Sequence, residues 1–170
     1  ALSTAAGFSS YKAGSSDTSV VATVTGAASP GVYDFTVQQL AKEQRTYSDA
    51  QASSTAALNT PGSISLQVGA GSPALINVLA TDSLTDIAAK INQSGLRVGA
   101  SVLFDGNTYK LQVRGLDTGA ANGITFGETG TSLGLATPGN TVQAAQDAQM
   151  TIDGNVIDIA VGIVVGTAFT

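Results

Sequence analysis

The sequence predicts an α+β fold that is mostly β, built from antiparallel strand pairs with a short amphipathic helix packed on a sheet. Three observations carry that expectation. Runs rich in β-branched residues alternate apolar and polar side chains with the period of two that a half-buried strand requires. Asp-Gly or Pro-Gly pairs stand between several of these runs, and they are local signals of tight reversals. A short segment after residue 82 combines a helix-start signal with 3.6-residue apolar spacing.

Taken in order, residues 1–15 are small and polar and read as an irregular lead-in. Residues 20–25 and 32–37 read as two strands of a hairpin, with Ser29, Pro30 and Gly31 supplying the turn. In the second of these, Tyr33, Phe35 and Val37 form an apolar side. From 38 to 58 the residues are good or neutral helix formers, with Leu40, Ala41, Gln44, Tyr47 and Ser48 at helical spacing. This stretch reads as a helix of low amphipathicity or an extended polar segment, ended by Thr60, Pro61 and Gly62. The composition shifts here and places a domain boundary near residues 50–60.

Residues 63–68 alternate Ile64, Leu66 and Val68 against Ser63, Ser65 and Gln67, a one-sided strand, and 75–79 follow after a Gly-rich turn. Ser83 is the expected N-cap, paired with Asp86 in the acidic counterpart of a capping box. Leu84, Ile87, Ala88 and Ile91 then fall at i, i+3, i+4 and i+7 in a helix that Gly95 should end. Residues 98–104 and 109–113 flank Asp105 and Gly106 in a hairpin. A Gly- and Thr-rich stretch over 115–141 holds one short strand, 124–126, and Pro138, Gly139 and Asn140 mark a second boundary. The last hairpin joins 148–152 to 155–165 across Asp153 and Gly154.

Chemistry is narrowed as strongly as fold. With no His, Cys or Trp, the chain lacks the usual nitrogen and sulfur ligands of zinc, a thiol nucleophile, a disulfide and a His-based triad. The 12 acidic side chains fall mostly at turns (Asp105, Asp117, Asp153) or helix starts (Asp82, Asp86), where backbone hydrogen bonding accounts for them better than paired-carboxylate catalysis does. The Gly127–Thr131 stretch lacks the Lys of a phosphate-binding loop, and neither Asp-Gly-Asn turn has the ligand spacing of a calcium loop. The expectation is therefore a protein that is not an enzyme, with no catalytic residue, cofactor or metal. Seven scattered Lys and Arg on a chain of net charge -5 argue against nucleic acid and an anionic membrane surface as partners. No apolar run reaches spanning length, and the first residues lack the basic and apolar regions of a secretory leader.

Four blocks carry a more specific resemblance. The stretch from Gly31 through Val32, Tyr33, Asp34, Phe35 to Gln44 resembles the end of the N-terminal region in the flagellar hook-associated protein 2 family, the filament caps. Ser83 to Asn92, followed by Val98 to Val102, resembles the flagellin/hook IN motif, named for the pair that here is Ile91 and Asn92. Residues 109–122 are similar to the strand and turn that follow that motif, and 145–154 to the start of the family's C-terminal region. Within the motif, Leu84, Ile87 and Ile91 are expected to anchor the helix on a sheet, with Asn92 supporting its C-terminal cap near Gly95.

The resemblance implies two β-rich head domains, one inserted in the other: residues 16–50 with 145–170 as the parent, and 51–144, containing the motif, as the insert. It implies a structural cap at the distal end of the filament, a ring-shaped homo-oligomer that contacts flagellin and promotes its assembly. Export by the flagellar type III pathway would bring it outside the cell. Neither end of the chain shows the family's sustained heptads, so the sequence reads as a head fragment. An alternative is an adhesin-like module for host mucin or glycan, using exposed loop aromatics such as Tyr109.

Overall fold

The computed structural model describes residues 12–18, 20–24 and 30–159. Two compact units divide the chain: residues 1–34 with 164–170, and residues 35–163. In the first unit the described residues form no regular element. Residues 20–24 are exposed and unpaired as a strand, and the backbone turns locally through a Val20 N–H to Asp17 carbonyl bond of 3.2 Å. The expected hairpin between 20–25 and 32–37 is therefore not formed over its described part. Residues 25–29, the end of its first strand and part of its turn, lie outside the described residues, as do 1–11 of the lead-in and 160–165 of the last expected strand.

The second unit is mostly β. In chain order its elements are β1 (Phe35–Gln39), β2 (Arg45–Tyr47), β3 (Gly62–Val68), β4 (Ala74–Val78), α1 (Leu84–Asn92), β5 (Val98–Phe104) and β6 (Tyr109–Gly115). These are followed by β7 (Ile124–Thr129), β8 (Thr141–Gln143), β9 (Ala148–Ile152) and β10 (Asn155–Ile159). They form three antiparallel sheets, ordered β1-β9-β10, β5-β6-β2-β8 and β4-β3-β7. Phe35, in the middle of the apolar side expected on the second strand of that hairpin, pairs with Ile152 of β9.

One core joins the second and third sheets to the helix. Ile64 and Leu66 of β3, Leu84, Ile87 and Ile91 of α1, and Leu111 and Val113 of β6 are fully buried. Leu133 and Leu135 plug the same core from a loop. That loop is held by Glu128, whose carboxylate accepts the Leu133 N–H at 2.9 Å and the Gly134 N–H at 3.2 Å. Gly134 has φ +77, which strains any other residue, and a Cβ there would sit 2.5 Å from the Asp49 carboxylate and displace it.

Of the two readings of residues 38–58, the structure takes the extended one over 40–51 and not the helix: β2 lies between β6 and β8, and bridges at Lys42 and Gln51 flank it. The cause is an inverted pattern. Gln44, Thr46 and Ser48 recur with period two and point inward, while Glu43, Arg45 and Tyr47 face outward. Each inward polar group is satisfied. The Ser48 hydroxyl accepts the Leu111 N–H at 2.9 Å, and the Thr46 and Thr141 hydroxyls lie 3.0 Å apart.

Candidate functional site

The acidic residues are the chain's main store of reactive groups. Asp105 folds its own turn, accepting from the Asn107 and Thr108 N–H groups, and these bonds hold its carboxyl below the usual range. Asp117 is lowered by the guanidinium of Arg97, which donates to both its oxygens at 2.6 and 2.8 Å. Asp86 is lowered by the Ser83 hydroxyl and N–H it accepts from. Glu43 is lowered first by its hydrogen bond from Arg45, then by its own backbone N–H, with Arg114 adding through charge alone. Among the described residues no group of three or more acidic side chains is arranged to hold a metal ion, and no helix is long and apolar enough to cross a membrane.

The sequence-predicted motif is brought together as a structural unit. Ser83 and Asp86 close the capping box reciprocally, with the Asp86 N–H to Ser83 Oγ bond at 3.2 Å. Leu84, Ile87 and Ile91 fill the core with no exposed surface, on the face the spacing predicted. Lys90 on the next face pairs with the buried Asp82 and donates to the Asn77 carbonyl at 3.0 Å, tying the helix to the free edge of β4.

Asn92 does something other than cap. The helix ends through the Gln93 and Ser94 N–H groups, with Gly95 at φ +78 turning the chain just beyond. The Asn92 side chain reaches across to the edge of β5, where its Nδ2 donates to the Ala100 carbonyl at 2.9 Å and its Oδ1 accepts the Ala100 N–H at 2.7 Å. A primary amide offers the same donor and acceptor pair as a peptide unit, so Asn92 stands in for one residue of a neighbouring strand. Gln44 repeats the device inside the core: its amide donates to the Ile124 carbonyl and accepts the Ile124 N–H, both at 2.8 Å. Sequence spacing located Asn92 but not its partner, and it gave Gln44 no role beyond helix periodicity.

Two sheet faces remain uncovered among the described residues. On β1-β9-β10 the pairs Phe35 with Ile152, Val37 with Met150 and Met150 with Ile157 put one apolar row on a single face, and Phe35 and Val37 are more than half exposed. The outward face of β5-β6-β2-β8 carries Arg45, Tyr47, Lys110, Gln112 and Arg114. Tyr109, expected as an exposed loop aromatic, is on the inward side of β6 and packs on Phe104 at 4.8 Å between ring centres, against the core.

Such an arrangement is a packed β scaffold with one helix and broad outward sheet faces. The family profile described as flagellar hook-associated protein 2 N-terminus matches residues 1–44. Flagellar hook-associated protein 2 of Escherichia coli strain K12 is 32% identical over 173 residues, covering 93% of this chain and 37% of that protein. The crystal structure of the D2-D3 domains of the flagellar cap protein FliD from Escherichia coli superimposes with a TM-score of 0.76 at 28% identity, covering 89% of this chain and 85% of that one. The corresponding D2-D3 structure from Serratia marcescens gives 0.68 at 28% identity, with 81% and 82% covered. The chain belongs to the flagellar hook-associated protein 2 family, which is a structural family of the bacterial flagellum and not a family of enzymes. It spans little more than a third of the curated relative's length.

Proposed function

We propose that this chain is the head portion of a filament cap. As part of its whole protein it forms a ring-shaped homo-oligomer at the distal end of the flagellum, contacts flagellin there and promotes filament elongation. The observation supporting this reading is the likeness, across nine-tenths of the chain, to the D2-D3 domains of a flagellar cap protein. Arrival outside the cell by the flagellar type III route belongs to the same reading.

Within the head, we propose the nested arrangement of an inserted module within a parent. The ends of the chain supply the parent, where β1 meets β9 and β10 across more than a hundred intervening residues. Hydrogen bonding of β2 to β6 and β8 favours drawing the changeover close to residue 42, ahead of the 50–60 region where composition shifts. Leu84, Ile87, Ile91 and Asn92 act in this reading as scaffold, holding the insert rigid.

The test is complementation. In the parent organism with the gene deleted, the full-length protein should restore filaments counted by electron microscopy, and a version with Leu84→Asp should not. Filaments of normal number and length in the deletion strain would contradict the assignment.

A further inference from the structure

We propose that the outward face of the β5-β6-β2-β8 sheet, centred on Arg45 and Arg114, is the surface by which one copy of the protein grips an acidic surface of a second copy, head to tail. The inference rests on the self-assembly reading above and adds which face is used and with what symmetry. Arg45 and Arg114 are directly opposed on neighbouring strands, and like charges in that position destabilise a sheet. Glu43 bonds Arg45 at 2.5 Å, so one carboxylate serves two guanidiniums. Among the described residues no ion pair or hydrogen bond engages Arg114, whose side chain lies exposed beside Gly99. Lys110 projects from the same face beside Asp105, and Tyr47, Leu103 and Val142 line an open groove next to them. A local cost of this kind is expected where a partner supplies the missing anions.

Charge identifies the partner. The face holds three of the chain's seven cations with Glu43 and, in its groove, Asp105, leaving Lys12, Lys42, Lys90 and Arg97 against ten of the twelve carboxylates elsewhere. Three cations on a net-negative chain make a poor phosphate-backbone site but a good complement to the remainder of an identical molecule. Meeting its own kind across a two-fold axis would set four guanidiniums together, so the contact is heterologous. Repetition of a heterologous contact closes into a ring when its rotation allows. Arg and Tyr at the centre with an apolar groove beside them match the composition of interface cores.

Sedimentation of the full-length protein tests this. Wild type should lose about tenfold or more in association constant between about 0.05 and 0.5 M NaCl. Arg45→Gln with Arg114→Gln should lose a similar factor at low salt, Lys110→Glu should lose part of it, and Lys12→Gln should behave as wild type. Relief of the opposed charges should leave the melting temperature of Arg114→Gln equal or higher, which separates lost contact from lost fold. Wild-type assembly by the arginine variants would overturn the assignment of the face. Lost flagellin binding with unchanged self-association would also overturn it, giving the face to flagellin. A wild-type protein monomeric at every concentration would sink the self-assembly reading itself.

Discussion

Two side-chain amides, Asn92 and Gln44, each complete the hydrogen bonding of an edge-strand residue on the side that has no neighbouring strand. The Ala100 and Ile124 peptide groups would otherwise leave a donor and an acceptor unmatched at places where strands end or helices intervene. For Asn92 both bonds depend on one planar group at one distance from the helix. Asn92→Ala should lower the unfolding free energy by about 1–2 kcal/mol in urea titrations. Asn92→Gln, one methylene longer, should fail to restore it, and unchanged stability of either variant would show that the pairing carries no weight. The Ile-Asn pair was legible in the sequence as a helix end, because Ile91 sits on the apolar stripe. The role of its Asn was not, because Ala100 in the same block comes opposite only when β5 packs beside the helix.

Among the elements, α1 illustrates what local sequence can settle. Its cap, its buried stripe and its length all follow from nine residues and the one before them, since the intervals that matter are three and four. Removing a buried anchor should therefore be severe and removing the cap moderate. Ile87→Ala should cost about 2–5 kcal/mol and Ser83→Ala about 1 kcal/mol, measured by chemical denaturation. Equal effects would mean that the helix is held by its cap and not by the core. β2 is the opposite case. Its inward residues are Gln44, Thr46 and Ser48, so a search for apolar alternation passes over it, and the helix-forming side chains around it suggest the wrong period. Gly62, which opens β3, lies where a Cβ would fall 2.2 Å from the Thr129 carbonyl oxygen, a closeness set by β7 and invisible in the turn residues preceding it.

At the scale of the whole molecule, the pH response should be one-sided. Glu43, Asp86, Asp105 and Asp117 all have carboxyls lowered in the folded state, by bonds from Arg45, Ser83, the Thr108 backbone and Arg97 respectively. A lowered folded pKa gives stability that is present above the unfolded value and lost as pH falls through the folded one. Melting temperature should therefore decline below about pH 4. With no histidine in the chain it should stay level between about pH 6 and 8, and a step in that window would contradict the account. What the sequence alone determined is every feature whose cause lies within a few residues: mostly β class, the Asp-Gly hairpins of β5-β6 and β9-β10, the capped helix, the lack of His and Cys chemistry and the family likeness. Tertiary structure decided the rest: the insertion of β2 between β6 and β8, the partner of β1, the amide pairings and the opposed arginines. All of these but the Asn92 pairing depend on groups dozens of residues apart, and hydrogen bonds between groups brought together by packing leave no period in the chain that forms them.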